Sequence, residues 1–205
     1  MSAHDHADGH LPHEPEKATL EGRNKILGFW IFLGAETVLF GTLFSAYLAL
    51  RHNTMDGPVA DELFKLPTVF AATMILLTSS LASVFAVQAL HAHKKKAMIG
   101  WLVVTILLGL GFLGLEVYEF SEYLHEGHGL TTSAFSSSFY TLVGFHGAHV
   151  AFGVLWIGLL ILQIMKKGLT TVTAPKIYVS AIYWHFIDVV WVFIFTVVYL
   201  MGKVA

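Results

Sequence analysis

Residues 183–202, YWHFIDVVWVFIFTVVYLMG, are apolar enough to cross a membrane, yet they contain two ionisable side chains. A helix needs about 20 mostly apolar residues to span the roughly 30 Å of hydrocarbon in a bilayer, and this stretch has that length. His185 and Asp188 interrupt it, although an ionised side chain at the centre of a membrane helix costs about 2.5–3.5 kcal/mol. The stretch therefore predicts a transmembrane helix whose polar residues face protein rather than lipid.

The rest of the chain repeats this apolar pattern. Of the 205 residues, 56% are hydrophobic and 13% are charged, and the mean hydropathy of +0.68 lies outside the range of ordinary soluble domains. Five apolar stretches predict an all-α integral membrane bundle, with helices at about residues 26–50, 68–90, 98–120, 138–165 and 178–201. None alternates as a membrane β-strand does. We expect one membrane domain at residues 26–205, preceded by a polar, disordered cytoplasmic tail at residues 1–25.

Charge and composition orient the chain and exclude several classes of function. Suppose that the N-terminal tail and the second and fourth connections between helices lie on the same side of the membrane. That side then holds all of the twelve Lys and Arg residues except Arg51, Lys65 and Lys203. The positive-inside rule then places the N-terminus in the cytoplasm and the C-terminus outside. The absence of cysteine excludes disulfides and thiolate metal sites, and a net charge of −2 argues against a nucleic-acid partner.

Candidate functional residues are the ionisable side chains inside the predicted helices. Glu36 lies near the middle of the first helix. His146 and His149 share one face of the fourth helix, and His185 and Asp188 share one face of the fifth. Because an unpaired polar group facing lipid is costly, each of these side chains predicts a partner in the bundle or in another protein.

Two further acids, Glu116 and Glu119, lie near the outer end of the third predicted helix. We expect them to make polar contacts with other helices. Small residues at helical spacing predict close helix packing, and they occur as Ser79 with Ser83, Gly144 with Ala148, Gly147 with Ala151, and the run Gly109, Gly111 and Gly114.

The residues alone leave several interpretations open. The histidines of the fourth and fifth helices could ligate a metal or haem, but two histidines at i, i+3 on one helix suit neither a bis-histidine haem nor a clear metal pattern. Glu36 could handle protons, or it could be a neutral hydrogen-bond donor between helices. His185 and Asp188 are expected to form a hydrogen-bonded pair that holds the fifth helix to its neighbours.

Four segments of the chain together resemble subunit III of the haem-copper respiratory oxidases. They are GFWIFLGAETVLFGTLF (28–44), GFLGLEVYEFSEYLHEG (111–127), GFHGAHVAFGVLWI (144–157) and YWHFIDVVWVFIFTVVYLMG (183–202). The match runs in order over residues 20–202. KATLEGRNKILGFW (17–30) and TAPKIYVSAIYWHF (173–186) make the chain most similar to the short, five-helix subunit III of cytochrome c oxidases from Gram-positive bacilli.

The resemblance implies a multi-pass subunit of a bacterial plasma membrane that works in aerobic respiration. It implies a proton-pumping oxidase that reduces oxygen to water with electrons from cytochrome c. This chain would carry no catalytic centre, haem or metal, because the haems and copper belong to partner subunits. It would bind subunits I and II, a small subunit IV and phospholipids, and it would stabilise subunit I and support proton uptake. Mitochondrial members have seven helices, so two N-terminal helices are missing here.

The resemblance also implies roles for individual residues. Glu36 occupies the place of the family's buried carboxylate, which reacts with carbodiimides. The family's two signature strings are HGAHV (146–150), which contains His146 and His149, and WHFIDVVW (184–191), which contains His185 and Asp188. Two alternatives remain: subunit III of a menaquinol or other quinol oxidase, whose sequences carry related strings, and a small stand-alone membrane transporter.

Overall fold

The computed structural model describes residues 11–51, 53, 66–125, 129 and 132–204. Five helices in these ranges are long and apolar enough to cross a membrane. They are α1 (Leu20–Leu50), α2 (Leu66–His91), α3 (Lys95–His125), α4 (Ala134–Lys167) and α5 (Ala174–Ile194). α5 continues into a π-helical segment, Phe195–Leu200, and a last short helix, α6 (Met201–Val204). The all-α fold with five spanning helices is thus confirmed, while the orientation of the termini stays a prediction.

Each helix extends beyond the apolar stretch that predicted it, because the residues that cap a helix are polar. α1 begins at Leu20 rather than near residue 26, since the Thr19 hydroxyl accepts a hydrogen bond from the Gly22 N–H at 3.0 Å. Ser133 caps α4 in the same way. Part of the predicted tail is therefore helical, and residues 1–10 lie outside the described residues.

α5 is the central helix of the bundle, whereas α1 lies at its edge. α5 packs against α1, α2 and α4, and half of the residues in its most apolar window are buried, against 11% for α1. The Trp184 ring fills a slot between two glycines, where a methyl group would come within 2.7 Å of the ring at Gly109 and 3.0 Å at Gly153. The predicted close packing at Gly109 is found, and it serves to admit an indole ring.

Two tryptophan side chains bond α5 to α2. The indole N–H of Trp184 donates to the Ser79 hydroxyl at 2.9 Å, and that of Trp191 donates to the Thr73 hydroxyl at 3.0 Å. All four side chains are buried. Because lipid offers no alternative partner for an N–H group, these bonds fix the rotation of α5 against α2.

Residues 11–19 fold back onto the end of the bundle that carries the α2–α3 connection. The Glu16 side chain is fully buried there, and its Oε1 lies 3.1 Å from Nε2 of His91 at the end of α2. The His13 ring stacks on His91 with 6.1 Å between ring centroids. The segment before α1 is therefore attached to the bundle through a buried acid.

Candidate functional site

The polar residues predicted from the sequence occupy separate places in the bundle rather than one site. One pair joins α1 to α4 near the membrane-facing surface, a second group joins α2 to α5, and two acids lie on α3. A further histidine is enclosed in the aromatic core.

Glu36 of α1 and His149 of α4 form a hydrogen-bonded pair. Oε2 of Glu36 lies 3.2 Å from Nε2 of His149, and the two side chains are 15% and 17% exposed. Nδ1 of His149 lies 2.7 Å from the carbonyl oxygen of Phe145, so Nδ1 must be the donor there. If the imidazole is neutral, Nε2 is an acceptor and Glu36 donates; otherwise the pair is an imidazolium and a carboxylate. Either arrangement places one proton between the two side chains.

Aromatic side chains hold His149 in this position. The Phe40 ring packs against the imidazole with 5.0 Å between centroids, and the Tyr183 hydroxyl donates to the backbone carbonyl of His149 at 3.0 Å. A depression of about 260 Å³ opens beside His149, lined also by Phe32, Ala148, Phe152 and Tyr183. The pair therefore lies next to a surface on which lipid or another protein can pack.

His185 does not bond to Asp188, so the expected pair is wrong. Nδ1 of His185 lies 2.7 Å from the Ser80 hydroxyl of α2. Asp188 is 5% exposed, the Ser80 hydroxyl also interacts with its carboxyl group, and Oδ1 of Asp188 has no hydrogen-bond partner among the described residues. The reason is that α2 presents a serine between the two side chains. Both residues thus contact α2, as expected, but through Ser80.

A groove of about 490 Å³ runs between α1 and α5 beside His185. It is lined by Trp30, Leu33, Gly34, Thr37, Ile182, His185, Phe186 and Val189. The lining is almost entirely apolar, which suits a hydrocarbon chain or an apolar helix.

The two acids of α3 are buried near the end of that helix. Glu116 and Glu119 are 7% and 6% exposed. The Tyr123 hydroxyl donates a short hydrogen bond to Oε1 of Glu119, so this contact stays within α3. The Glu116 carboxyl group packs against Gly147 of α4, where a methyl group would lie 2.5 Å from Oε2. Glu116 thus packs against another helix, while the expected polar contacts of the two acids with other helices stay a prediction.

His146 is completely buried among aromatic rings. It stacks on Trp191 with 5.2 Å between centroids, and it meets the Phe112 ring edge to face at 5.8 Å. Neither ring nitrogen has a hydrogen-bond partner in the described part of the chain. Within the same ranges, no group of three or more His, Cys, Asp or Glu residues is placed to hold a metal ion.

Sequence reasoning missed the hydroxyl partners. Ser80 looked like an ordinary small residue of α2, and Tyr123 lay within a helix of mixed polarity. The one available signal for these partners was a hydroxyl side chain within an apolar helix, when neighbouring helices carry a histidine or an acid. The buried Glu16 had no such signal, because it lies in a segment rich in polar residues.

Comparison with known proteins gives a consistent result. A family model described as cytochrome c oxidase subunit III matches residues 14–203. The chain is 64% identical to cytochrome c oxidase subunit 3 of Bacillus sp. (strain PS3) over 195 residues, which cover 95% of this chain and 94% of the relative. It is 60% identical to cytochrome c oxidase subunit 3 of Bacillus subtilis (strain 168), with the same coverage. It is 48% identical to quinol oxidase subunit 3 of the same strain over 202 residues, 98% of each chain.

Proposed function

The chain belongs to the cytochrome c oxidase subunit III family, and from this membership we propose that its enzyme takes electrons from cytochrome c. It is subunit III of a haem-copper oxidase and a multi-pass protein of the bacterial plasma membrane. The observation that carries the proposal is the difference in identity, 64% to a cytochrome c oxidase subunit 3 against 48% to a quinol oxidase subunit 3. The proposed enzyme is a terminal oxidase that pumps protons and reduces oxygen to water.

In this proposal the chain is a scaffold and not the catalyst. The haems and copper are held by partner subunits I and II. The contribution of subunit III is to stabilise subunit I and to support proton uptake by it.

The exposed apolar face of α1 is the proposed contact with subunit I and phospholipid. Only 11% of the most apolar window of α1 is buried within this chain. The groove between α1 and α5 is of a size and polarity that suit an acyl chain. A helix of subunit I or a lipid placed there would cover Trp30 and Phe186 and complete the burial of α1.

The Glu36–His149 pair is proposed as the proton-bearing group on this face. It is close to the surface, it contains one shared proton, and it is held by backbone and aromatic contacts. With the N-terminus in the cytoplasm, Glu36 lies near the midplane of the membrane. The pair would stabilise the docked arrangement of α1 rather than ligate a cofactor.

The test is purification of the complex through a tag on this chain in mild detergent, followed by an optical spectrum and oxygen uptake. We expect haem bands to copurify and reduced cytochrome c to drive oxygen consumption faster than menaquinol does. Oxygen uptake driven by menaquinol alone would replace the cytochrome c assignment with the quinol branch. A preparation that retains its partner subunits yet contains no haem would overturn the proposal.

A further inference from the structure

A second buried polar group lies in the half of the bundle where α3 ends and α4 begins. It consists of Glu116, Glu119 and Tyr123 of α3 together with Tyr199 of the π-helical segment, and we call it the α3 acid cluster. Glu119 and Tyr123 are joined by the short hydrogen bond. The Tyr199 side chain is completely buried and lies close enough to both acids to interact electrostatically with them. The cluster is separate from the Glu36–His149 pair, which joins α1 to α4.

Burial and spacing limit the charge of the two acids. Glu116 and Glu119 lie one helical turn apart, and each is more than nine-tenths buried. In the described part of the chain, Glu119 is the charged group that acts on Glu116. Two carboxylates so close in an apolar interior repel each other, so a single proton shared by the pair is strongly favoured. The hydrogen bond from Tyr123 stabilises negative charge on Glu119, which leaves the proton on Glu116.

One oxygen of Glu116 requires a further partner. Oε1 is buried and has no hydrogen-bond partner among the described residues. Both carboxyl oxygens are packed against Gly147, where even a methyl group would not fit. Leaving a buried polar atom unsatisfied is unfavourable, and buried waters typically make about two to four bonds to such atoms. The Tyr199 hydroxyl interacts electrostatically with the Glu116 carboxyl group, so both are polar groups to which one water can bond.

We propose that the α3 acid cluster is a hydrated proton-holding site. Its ligands are one internal water, bound between the Glu116 carboxyl group and its polar neighbours, and one exchangeable proton carried by Glu116. The proton exchanges with this bound water. A monovalent cation is the competing occupant, and it would require both acids to be ionised.

Infrared spectroscopy of the purified oxidase complex tests this site, since protonated carboxyl groups absorb apart from carboxylates. We expect Glu116→Gln to remove the absorbance of one protonated carboxyl group per complex. In heavy water the same band of the wild type should shift to lower frequency as its proton exchanges. Glu122→Gln, nearly two turns further along α3 and less buried, is the matched control and should leave this region of the spectrum unchanged.

The glycine that holds the carboxyl group offers a second test if Glu116→Gln fails to assemble. A methyl group at Gly147 would lie 2.5–2.8 Å from the carboxyl atoms of Glu116, whereas at Gly144 it would meet only Phe120, at 3.9 Å. Gly147→Ala should therefore shift the band and Gly144→Ala should not.

Three outcomes would overturn the proposal. Unchanged absorbance in Glu116→Gln would show that Glu116 is ionised, as cation binding requires. A band that never shifts in heavy water would show a dry site. Equal spectra for the two alanine variants would show that the band belongs to another carboxyl group.

Discussion

Nε2 of His149 lies 3.2 Å from Oε2 of Glu36 and so bonds α4 to α1 within a part of the chain that is otherwise apolar. α1 buries little of its surface against the other helices of this chain. The single hydrogen bond between Glu36 and His149 is therefore a large part of what fixes the rotation of α1 about its axis. The carbonyl of Phe145 occupies Nδ1 of His149, which makes the bond to Glu36 depend on one proton. A charge pair near lipid has a high desolvation cost, so we expect the neutral arrangement, with Glu36 as the donor.

Glu36→Gln is expected to leave the subunit in the complex, whereas Glu36→Leu is expected to weaken its retention. The amide of Gln can still donate to Nε2 of His149. Leu leaves that nitrogen unsatisfied at a cost of about 1–3 kcal/mol. The measurement is the ratio of this chain to its partner subunits after washing the immobilised complex with detergent. Thr42→Val is the control, since Thr42 bonds only to a carbonyl of its own helix. Equal loss in both Glu36 variants would contradict the neutral pair.

Ser80→Ala is expected to lower the melting temperature of the subunit within the complex. The serine hydroxyl is the partner of Nδ1 of His185 and also interacts with the Asp188 carboxyl group, so its removal leaves buried polar atoms without this partner. The loss should be about 1 kcal/mol, as for an ordinary hydrogen bond. Thr78→Ala on the same helix is the matched control, because Thr78 is exposed and bonds only to the carbonyl of Met74. Identical melting temperatures for the two variants would exclude a structural role for the Ser80 bond.

The number and order of the helices could be predicted from the sequence because each apolar stretch is long enough to span a bilayer. The helix ends could not be predicted in the same way. Thr19 and Ser133 start α1 and α4 from within polar segments, where hydropathy carries no information. The resemblance to subunit III then identified the family from the two signature strings, and the comparisons confirmed it.

The partners of the polar residues were harder to predict than the helices that carry them. Glu36, His149 and Asp188 were each predicted to need a partner, but only the first two are bonded to each other. Which residues meet at one depth depends on the rotation of each helix about its axis. That rotation is set here by buried contacts such as Trp184 in its glycine slot, which depend on the shape of two surfaces at once.

The bond between Trp184 and Ser79 should be measurable as a coupling energy. We expect Ser79→Ala and Trp184→Phe to be non-additive by about 0.6 kcal/mol, the average found for hydrogen bonds between membrane helices, and by no more than about 1.7 kcal/mol. The measurement is unfolding of the subunit in detergent by a double-mutant cycle. Ser79→Ala combined with Trp191→Phe is the control cycle, because the Trp191 N–H donates to Thr73 instead. Full additivity in the Trp184 cycle would show that the bond contributes nothing.

Glu16→Gln is expected to loosen residues 11–19 from the bundle, as increased hydrogen exchange of the backbone amides in this segment would show. Glu16 is buried and its carboxylate pairs with His91, so Gln weakens the attachment. Glu14→Gln is the control. Lys17 lowers the pKa of Glu14, so the Glu14–Lys17 ion pair stabilises the segment at neutral pH. This stabilisation is lost as the pH falls through the lowered pKa. It is small, because the pair is exposed and screened by water. Glu14→Gln should therefore leave exchange unchanged at neutral pH, and equal exchange in both variants would show that Glu16 does not attach the segment.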